Sequence, residues 1–117
     1  MAANRFTLEW AELVDGPADS TVAGPTPDDL RAILGVLVAS ESGFVILSCG
    51  DERYIQAAAG AEPGEPLIIE YRDGDADRHF QIDEEVFDAA RTTELFTTYL
   101  RDPASIGAAA AWARIEV

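Results

Sequence analysis

Apolar and polar residues alternate near the start of the chain. In the segment RFTLEWAEL, every second residue from Phe6 to Trp10 is apolar, and the residues between them are polar. This period of two is typical of a strand with one buried face. The segment 14–27 that follows is dense in Gly, Pro, Asp and Ser, which predicts a loop.

A helical pattern comes next. Thr26 is the expected N-cap, and Pro27 suits the first helical position. Apolar residues then recur at intervals of three and four, which predicts one apolar stripe on a helix that ends between Ser40 and Gly43. The stripe consists of Leu30, Ile33, Leu34, Leu37 and Val38.

Four short strands are predicted in the middle of the chain, joined by turns rich in Gly, Pro and Asp. Their segments are GFVILSCG, RYIQAAAG, PLIIEYR and HFQID. Short turns between successive strands indicate an antiparallel meander. The first segment is continuously apolar, so we expect that strand to be covered on both faces.

The apolar positions after this meander do not fit one continuous helix, because the stripe changes sides. We therefore predict a break at 91–93, with Thr92 or Thr93 capping a helix that runs to Leu100 or Arg101. Asp102-Pro103 ends that helix, and AAWARIEV is expected to form the last strand.

The resulting order is β-α-β-β-β-β-α-β, which predicts an α+β fold. We expect a mostly antiparallel sheet of about five to six strands with two main helices packed on one face. No repeat or linker divides the chain, so residues 1–117 are interpreted as a single domain.

The chain offers few residues for catalysis or metal binding. Cys49 is the only cysteine and His79 the only histidine, and a Cys49–His79 pair would require the two to be neighbours on the sheet. A buried, inert thiol and a hydrogen-bonded or surface histidine are the simpler interpretation. No zinc or nucleotide motif is present. We therefore expect a non-enzymatic protein without a cofactor, metal site or catalytic residues.

The segment DGDADRHFQIDE places acidic residues at the first, third, fifth and twelfth positions, as a calcium-binding EF-hand loop does. Arg78 stands at the sixth position, where such a loop has glycine, and a predicted strand replaces the incoming helix. A charged hairpin tip is the favoured interpretation, and a non-standard calcium site is the alternative.

The net charge of the chain indicates which kinds of partner it can bind. Twenty-two acidic residues face eight basic ones, all arginine, which gives a formal net charge of −14. Such a protein repels nucleic acid and anionic membranes and attracts basic proteins. Solubility, or adaptation to a salty cytoplasm, is the alternative reason for the charge. The chain has no bilayer-length apolar run and no signal-peptide pattern, and with its single cysteine this predicts a cytoplasmic location.

Residues 44–114 carry a family resemblance, in the segments RYIQAAAG, LIIEYRDG and LFTTYLRD and a late tryptophan. The matching residues are Tyr54, Gln56, Glu70, Tyr71, Arg72, Gly74, Phe96, Tyr99, Leu100 and Trp112. In these residues the chain resembles small actinobacterial proteins related to polymorphic-toxin immunity proteins. The resemblance implies a cytoplasmic protein that binds the enzymatic domain of a secreted toxin and blocks it.

The resemblance and the charge together predict an immunity-type protein that occludes a basic toxin domain. Two other classes stay open: a module that binds calcium or a small ligand, and a structural subunit of a larger assembly. For the immunity function, we expect the partner-binding residues to be Asp51, Glu52, Glu70, Asp73, Asp75 and Asp77.

Overall fold

The computed structural model describes residues 5–14, 16–50 and 52–115. It confirms the predicted α+β class: one open antiparallel sheet, with its helices on one side. The strands are β1 Thr7–Ala11, β2 Ser20–Ala23, β3 Phe44–Ser48, β4 Arg53–Ala58, β5 Ile68–Asp73, β6 His79–Ile82 and β7 Trp112–Arg114. The helices are α1 Pro27–Ser40, α2 Ala89–Arg101 and the short α3 Ile106–Ala109.

The sheet order is β2-β1-β3-β4-β5-β6-β7. The sheet therefore has seven described strands, one or two more than the sequence predicts. The additional strand is β2, which lies in the segment predicted as a loop. It pairs with β1 at the edge of the sheet, and all but one of its residues are exposed. A strand that buries neither face has no alternating pattern to reveal it.

Helix α1 forms as predicted. The Thr26 hydroxyl accepts a hydrogen bond from the Asp29 amide, and the Asp29 carboxylate accepts one from the Thr26 amide, which makes a complete capping box. Leu30, Leu34 and Leu37 of the stripe are fully buried against the sheet.

Helix α2 begins earlier than predicted. Asp88 is its N-cap and accepts a hydrogen bond from the Arg91 amide at 3.1 Å, so the expected break at 91–93 is wrong. The stripe changes sides because Val86 and Phe87 precede the helix. Thr92 lies within it, fully buried, and its hydroxyl donates to the Asp88 carbonyl.

Both long helices pack on the same face of the sheet and on each other. The strand residues beneath them are fully buried and include Leu8, Val45, Leu47, Ile55, Ala57 and Ile69. The prediction that β3 is covered on both faces is wrong. Its residues alternate between buried and half-buried, because no described helix packs on the other face.

Two short elements complete the fold. Residues Ala76–Arg78 form a 3₁₀ turn between β5 and β6, and Pro103–Ser105 form another before α3. α2 ends at Arg101 and β7 begins at Trp112, close to the predicted positions. In the described ranges, no helix combines the length and the apolar character needed to cross a bilayer.

Candidate functional site

The face of the sheet opposite the helices is the first candidate for function, and we call it the open face. The strand register arranges its side chains in rows that cross the sheet. One row contains Thr7, Ser48, Tyr54, Arg72 and His79. The next contains Glu9, Ile46, Gln56, Glu70 and Gln81. The last contains Ala11, Phe44, Ala58 and Ile68. The open face is therefore polar at one end of the strands and largely apolar at the other.

The single histidine contacts a carboxylate on this face. The distance between Nε2 of His79 and Oε1 of Glu70 is 2.8 Å, and the two side chains are only 16% and 21% exposed. The Tyr54 ring meets the imidazole edge-on, with the ring centres 6.1 Å apart. Glu70, one of the predicted partner-binding acids, is thus held by a neighbour on the sheet.

Cys49 does not join this cluster. It packs against the core on the helix-covered side, whereas His79 lies on the open face. The considered Cys49–His79 pair is therefore wrong. The thiol is half-buried, and so less buried than the sequence predicts.

Arginines compensate part of the predicted acidic tip. Asp73 contacts Arg78 at 2.6 Å and Arg53 at 3.5 Å, and Glu52 contacts Arg72 at 3.5 Å. Strand pairing causes this arrangement, because Arg53 lies directly opposite Asp73 across β4 and β5. Two of the predicted binding residues thus carry arginine partners.

The turn itself leaves two acids free of ion pairs among the described residues. Asp75 accepts a hydrogen bond from the Asp77 amide at 3.0 Å and so caps the 3₁₀ turn, and both side chains are exposed. Asp51, the remaining predicted binding residue, lies outside the described residues. The structure therefore brings Glu52, Glu70 and Asp73 to one end of the sheet, each beside a positive or titratable group.

The geometry of the turn differs from a calcium loop. Gly74 supplies the positive φ of 94°, whereas Arg78 ends the 3₁₀ turn with ordinary backbone angles. Within the described ranges, no three His, Cys, Asp or Glu side chains are grouped so that they could hold a metal ion.

Tyrosines add no charge to the site. Burial raises the pKa of Tyr99, with a further contribution from nearby Cys49. Burial also raises the pKa of Tyr71, and Asp73 raises it further. Both phenols are thus neutral at physiological pH, and the negative charge of the protein comes from its carboxylates.

Sequence reasoning missed the apolar part of the open face. Phe44, Ile46, Ala58 and Ala59 line a shallow concavity of about 470 Å³ together with Glu12, Gly43 and Gln56. Ile68, at the same end of the sheet, is 37% exposed. The continuous apolar run of β3 indicates that both faces of this strand carry apolar side chains. It does not show whether a helix covers each face.

Comparison with known proteins gives no relative from which a function could be transferred. No protein-family model, no curated protein and no solved structure matches this chain.

Proposed function

We propose that this chain is a non-enzymatic, immunity-type protein that binds the enzymatic domain of a cognate basic toxin and blocks it. It acts in the cytoplasm of the cell that makes the toxin. The partner-binding role needs a rigid complementary surface and no catalytic group of its own.

The observation that carries this proposal is the open face. The face presents half-buried Phe44, Ile46 and Tyr54 next to polar side chains, without a helix of the described chain over them. One face of an antiparallel sheet is often solvated, but a solvated face is normally polar. Apolar side chains there favour a protein partner, and aromatic residues are enriched in such interfaces.

Charge supports a basic partner. A protein of formal charge −14 is attracted to a cationic protein and associates with it faster, most strongly at low salt. Toxin domains that act on nucleic acids are often cationic. An acidic inhibitor then occupies the surface that the anionic substrate would use.

Co-expression with the toxin domain encoded by a neighbouring gene tests the proposal. We expect the two proteins to purify together with a nanomolar dissociation constant and the toxin to be inactive in the complex. Failure of every neighbouring toxin candidate to form such a complex would overturn the proposal.

A matched pair of variants identifies the surface. Ile46→Arg places a charge on the open face, and Ala32→Arg places the same charge on the exposed side of α1. We expect the first to weaken the complex by about a hundredfold or more and the second by less than about twofold, since a like charge placed at an interface costs several kcal/mol. Equal effects would show that the partner binds elsewhere.

A further inference from the structure

The two ends of the sheet differ in how their acids are balanced. We call the end at Ala11, Phe44, Ala58 and Ile68 the loop end, and the end with the β5–β6 turn the tip end. At the tip end, Arg53, Arg72 and Arg78 contact the acids Glu52 and Asp73. The loop end carries exposed acids that are in no ion pair among the described residues: Glu12, Glu41, Glu62, Glu65, Asp83 and Glu85.

Arg91, which contacts Glu84 in the same segment as Asp83 and Glu85, forms no ion pair with these acids. Arg91 is engaged by the carboxylates of Glu84 and Glu94 and by the Ala109 carbonyl at 3.0 Å. Among the described residues, the loop end therefore holds a group of six exposed acids without an arginine partner, separate from the acidic turn of the tip end.

A cup of about 220 Å³ lies at this end, between α1 and the β4–β5 loop. Its large apolar lining residues are Leu37, Val38, Leu67 and Phe87. Phe87 is unusual for a large hydrophobic residue, because 51% of its surface is exposed. A hydrogen bond from the Leu67 amide to the Val86 carbonyl, 2.8 Å long, fixes the segment that carries Phe87.

Three acidic residues line the same cup. They are Glu41, Glu62 and Glu65, and no arginine lines the cup. The loop that bears two of them is ordered by a hydrogen bond from the Glu62 amide to Oε1 of Glu65, 2.9 Å long. Glu41 is the left-handed C-cap of α1, and its amide donates to the Leu37 carbonyl.

This combination of groups fits one kind of side chain. An arginine or lysine has an aliphatic stem that packs on apolar surface and a cationic head that contacts carboxylates. The face of an exposed phenylalanine also attracts a cation. The three glutamates would repel an anionic group, and a purely apolar group would cover their carboxylates without pairing them.

We propose that the cup is a socket for an arginine or lysine side chain of the basic partner, whose neighbouring residues cover the concavity at Phe44 and Ile46. This inference rests on the proposed function for the identity of the partner. Ala59 lines both the cup and that concavity, so the two form adjoining parts of one docking surface around the β4–β5 loop.

A peptide probe tests the socket without the toxin. In a nuclear magnetic resonance titration of the ¹⁵N-labelled protein with hexa-arginine at low ionic strength, the largest shifts are expected at the amides of Glu41, Glu62 and Phe87. Larger shifts at Asp75 and Asp77 would overturn the proposal, because they would show that the cations prefer the tip end.

Two double variants with the same net charge distinguish binding in the cup from non-specific attraction of the peptide to the acidic protein. Glu41→Gln/Glu62→Gln and Asp75→Asn/Asp77→Asn each remove two carboxylates. We expect the first pair to weaken hexa-arginine binding by about tenfold and the second by less than about twofold, with exposed ion pairs each contributing up to about fivefold. Equal losses for the two pairs would contradict a defined socket.

Phe87→Leu tests the aromatic lining of the cup at constant charge. We expect it to weaken hexa-arginine binding by about threefold, since an exposed cation–aromatic contact contributes roughly that factor. Unchanged binding would remove Phe87 from the site.

The two proposals fail in different ways. If hexa-arginine maps to the cup but no neighbouring toxin binds, the socket stands and the immunity function fails. If a toxin binds equally well to Glu41→Gln/Glu62→Gln and to the wild type, the immunity function stands and the socket fails.

Discussion

Strand β3 shows how differently the two faces of this sheet are built. Val45 and Leu47 point towards the helices and are fully buried, whereas Phe44 and Ile46 of the same strand lie half-buried on the open face. All four are apolar, so their chemistry does not distinguish the faces. An apolar residue in a strand therefore indicates a side chain that is suited to a packed interface. Only the three-dimensional structure shows whether that side chain packs against the chain's own helices or remains on the surface.

Truncation of one residue on each face should give the largest difference. Leu47→Ala leaves a cavity under the helices, and we expect it to lower the free energy of unfolding by about 2–5 kcal/mol. Ile46→Ala on the open face should lower it by less than about 1 kcal/mol, because its side chain keeps contact with water in the folded protein. Urea unfolding measures both values.

Similar decreases in the free energy of unfolding for Leu47→Ala and Ile46→Ala would contradict the difference between the two faces. They would mean that the open face is covered in solution, for example by a second copy of the chain. Sedimentation of the wild-type protein at the same concentration would then distinguish self-association from a local rearrangement.

A second matched pair lies on α2 and extends the comparison to hydrogen bonds. The Thr92 hydroxyl donates to the Asp88 carbonyl at 2.8 Å in a fully buried position, and the Thr98 hydroxyl donates to the Glu94 carbonyl at 2.9 Å at a half-buried one. Thr92→Val should cost about 1 kcal/mol of unfolding free energy. Thr98→Val should cost less than about 0.5 kcal/mol, because water can replace the lost donor.

Thermal unfolding of the two valine variants gives the measurement. Valine keeps the β-branched shape, so helix propensity changes little and the two substitutions differ mainly in burial. If Thr98→Val lowered the free energy of unfolding more than Thr92→Val does, the lower burial of Thr98 would not explain the difference.

Local signals explain which parts of the fold were predictable. The N-cap at Thr26 and the turns between β3 and β6 involve residues close in sequence, and these predictions agree with the structure. Helix α2 was misjudged because Val86 and Phe87 continue an apolar spacing although Asp88 starts the helix. Edge strand β2 was missed because it buries almost nothing.

The candidate site was harder to predict, for a different physical reason. The sequence shows carboxylates but not the cations that strand pairing places beside them, as Arg53 is placed beside Asp73. The cup at Phe87 likewise combines α1, the β4–β5 loop and the segment before α2. Only tertiary structure brings these separated segments together.

The pH dependence of stability offers a smaller test at the loop end. Hydrogen bonding by Arg91 holds the pKa of Glu84 below its ordinary value of 4.5. The stability from this contact is therefore fully present above the pKa of the unfolded chain. It is lost as the pH falls through the lower pKa of the folded protein.

Glu84→Gln should thus be less stable than the wild type at neutral pH, by less than about 1 kcal/mol for a solvent-exposed pair. The difference should shrink as the pH is lowered below 4.5. Urea unfolding across this range measures it, and a difference independent of pH would contradict an ionic contribution from Glu84.

The last comparison concerns two acids of the tip end, and one of them is expected to have the smallest effect of all. Asp73 contacts two arginines, whereas Asp75 has no ion pair among the described residues and caps the 3₁₀ turn. Asp73→Asn should lower the free energy of unfolding by up to about 1 kcal/mol. Asp75→Asn should change it by only a few tenths, since asparagine is also a good cap.

Salt provides the control for this pair. Added salt screens exposed charges, so the loss caused by Asp73→Asn should diminish at high ionic strength while the effect of Asp75→Asn stays small. A salt-independent loss at Asp73 would mean that its carboxylate acts through local hydrogen bonding. The arginines would then neutralise the charge of Asp73 less than the contacts suggest. The tip end would again be a candidate docking site for a basic partner.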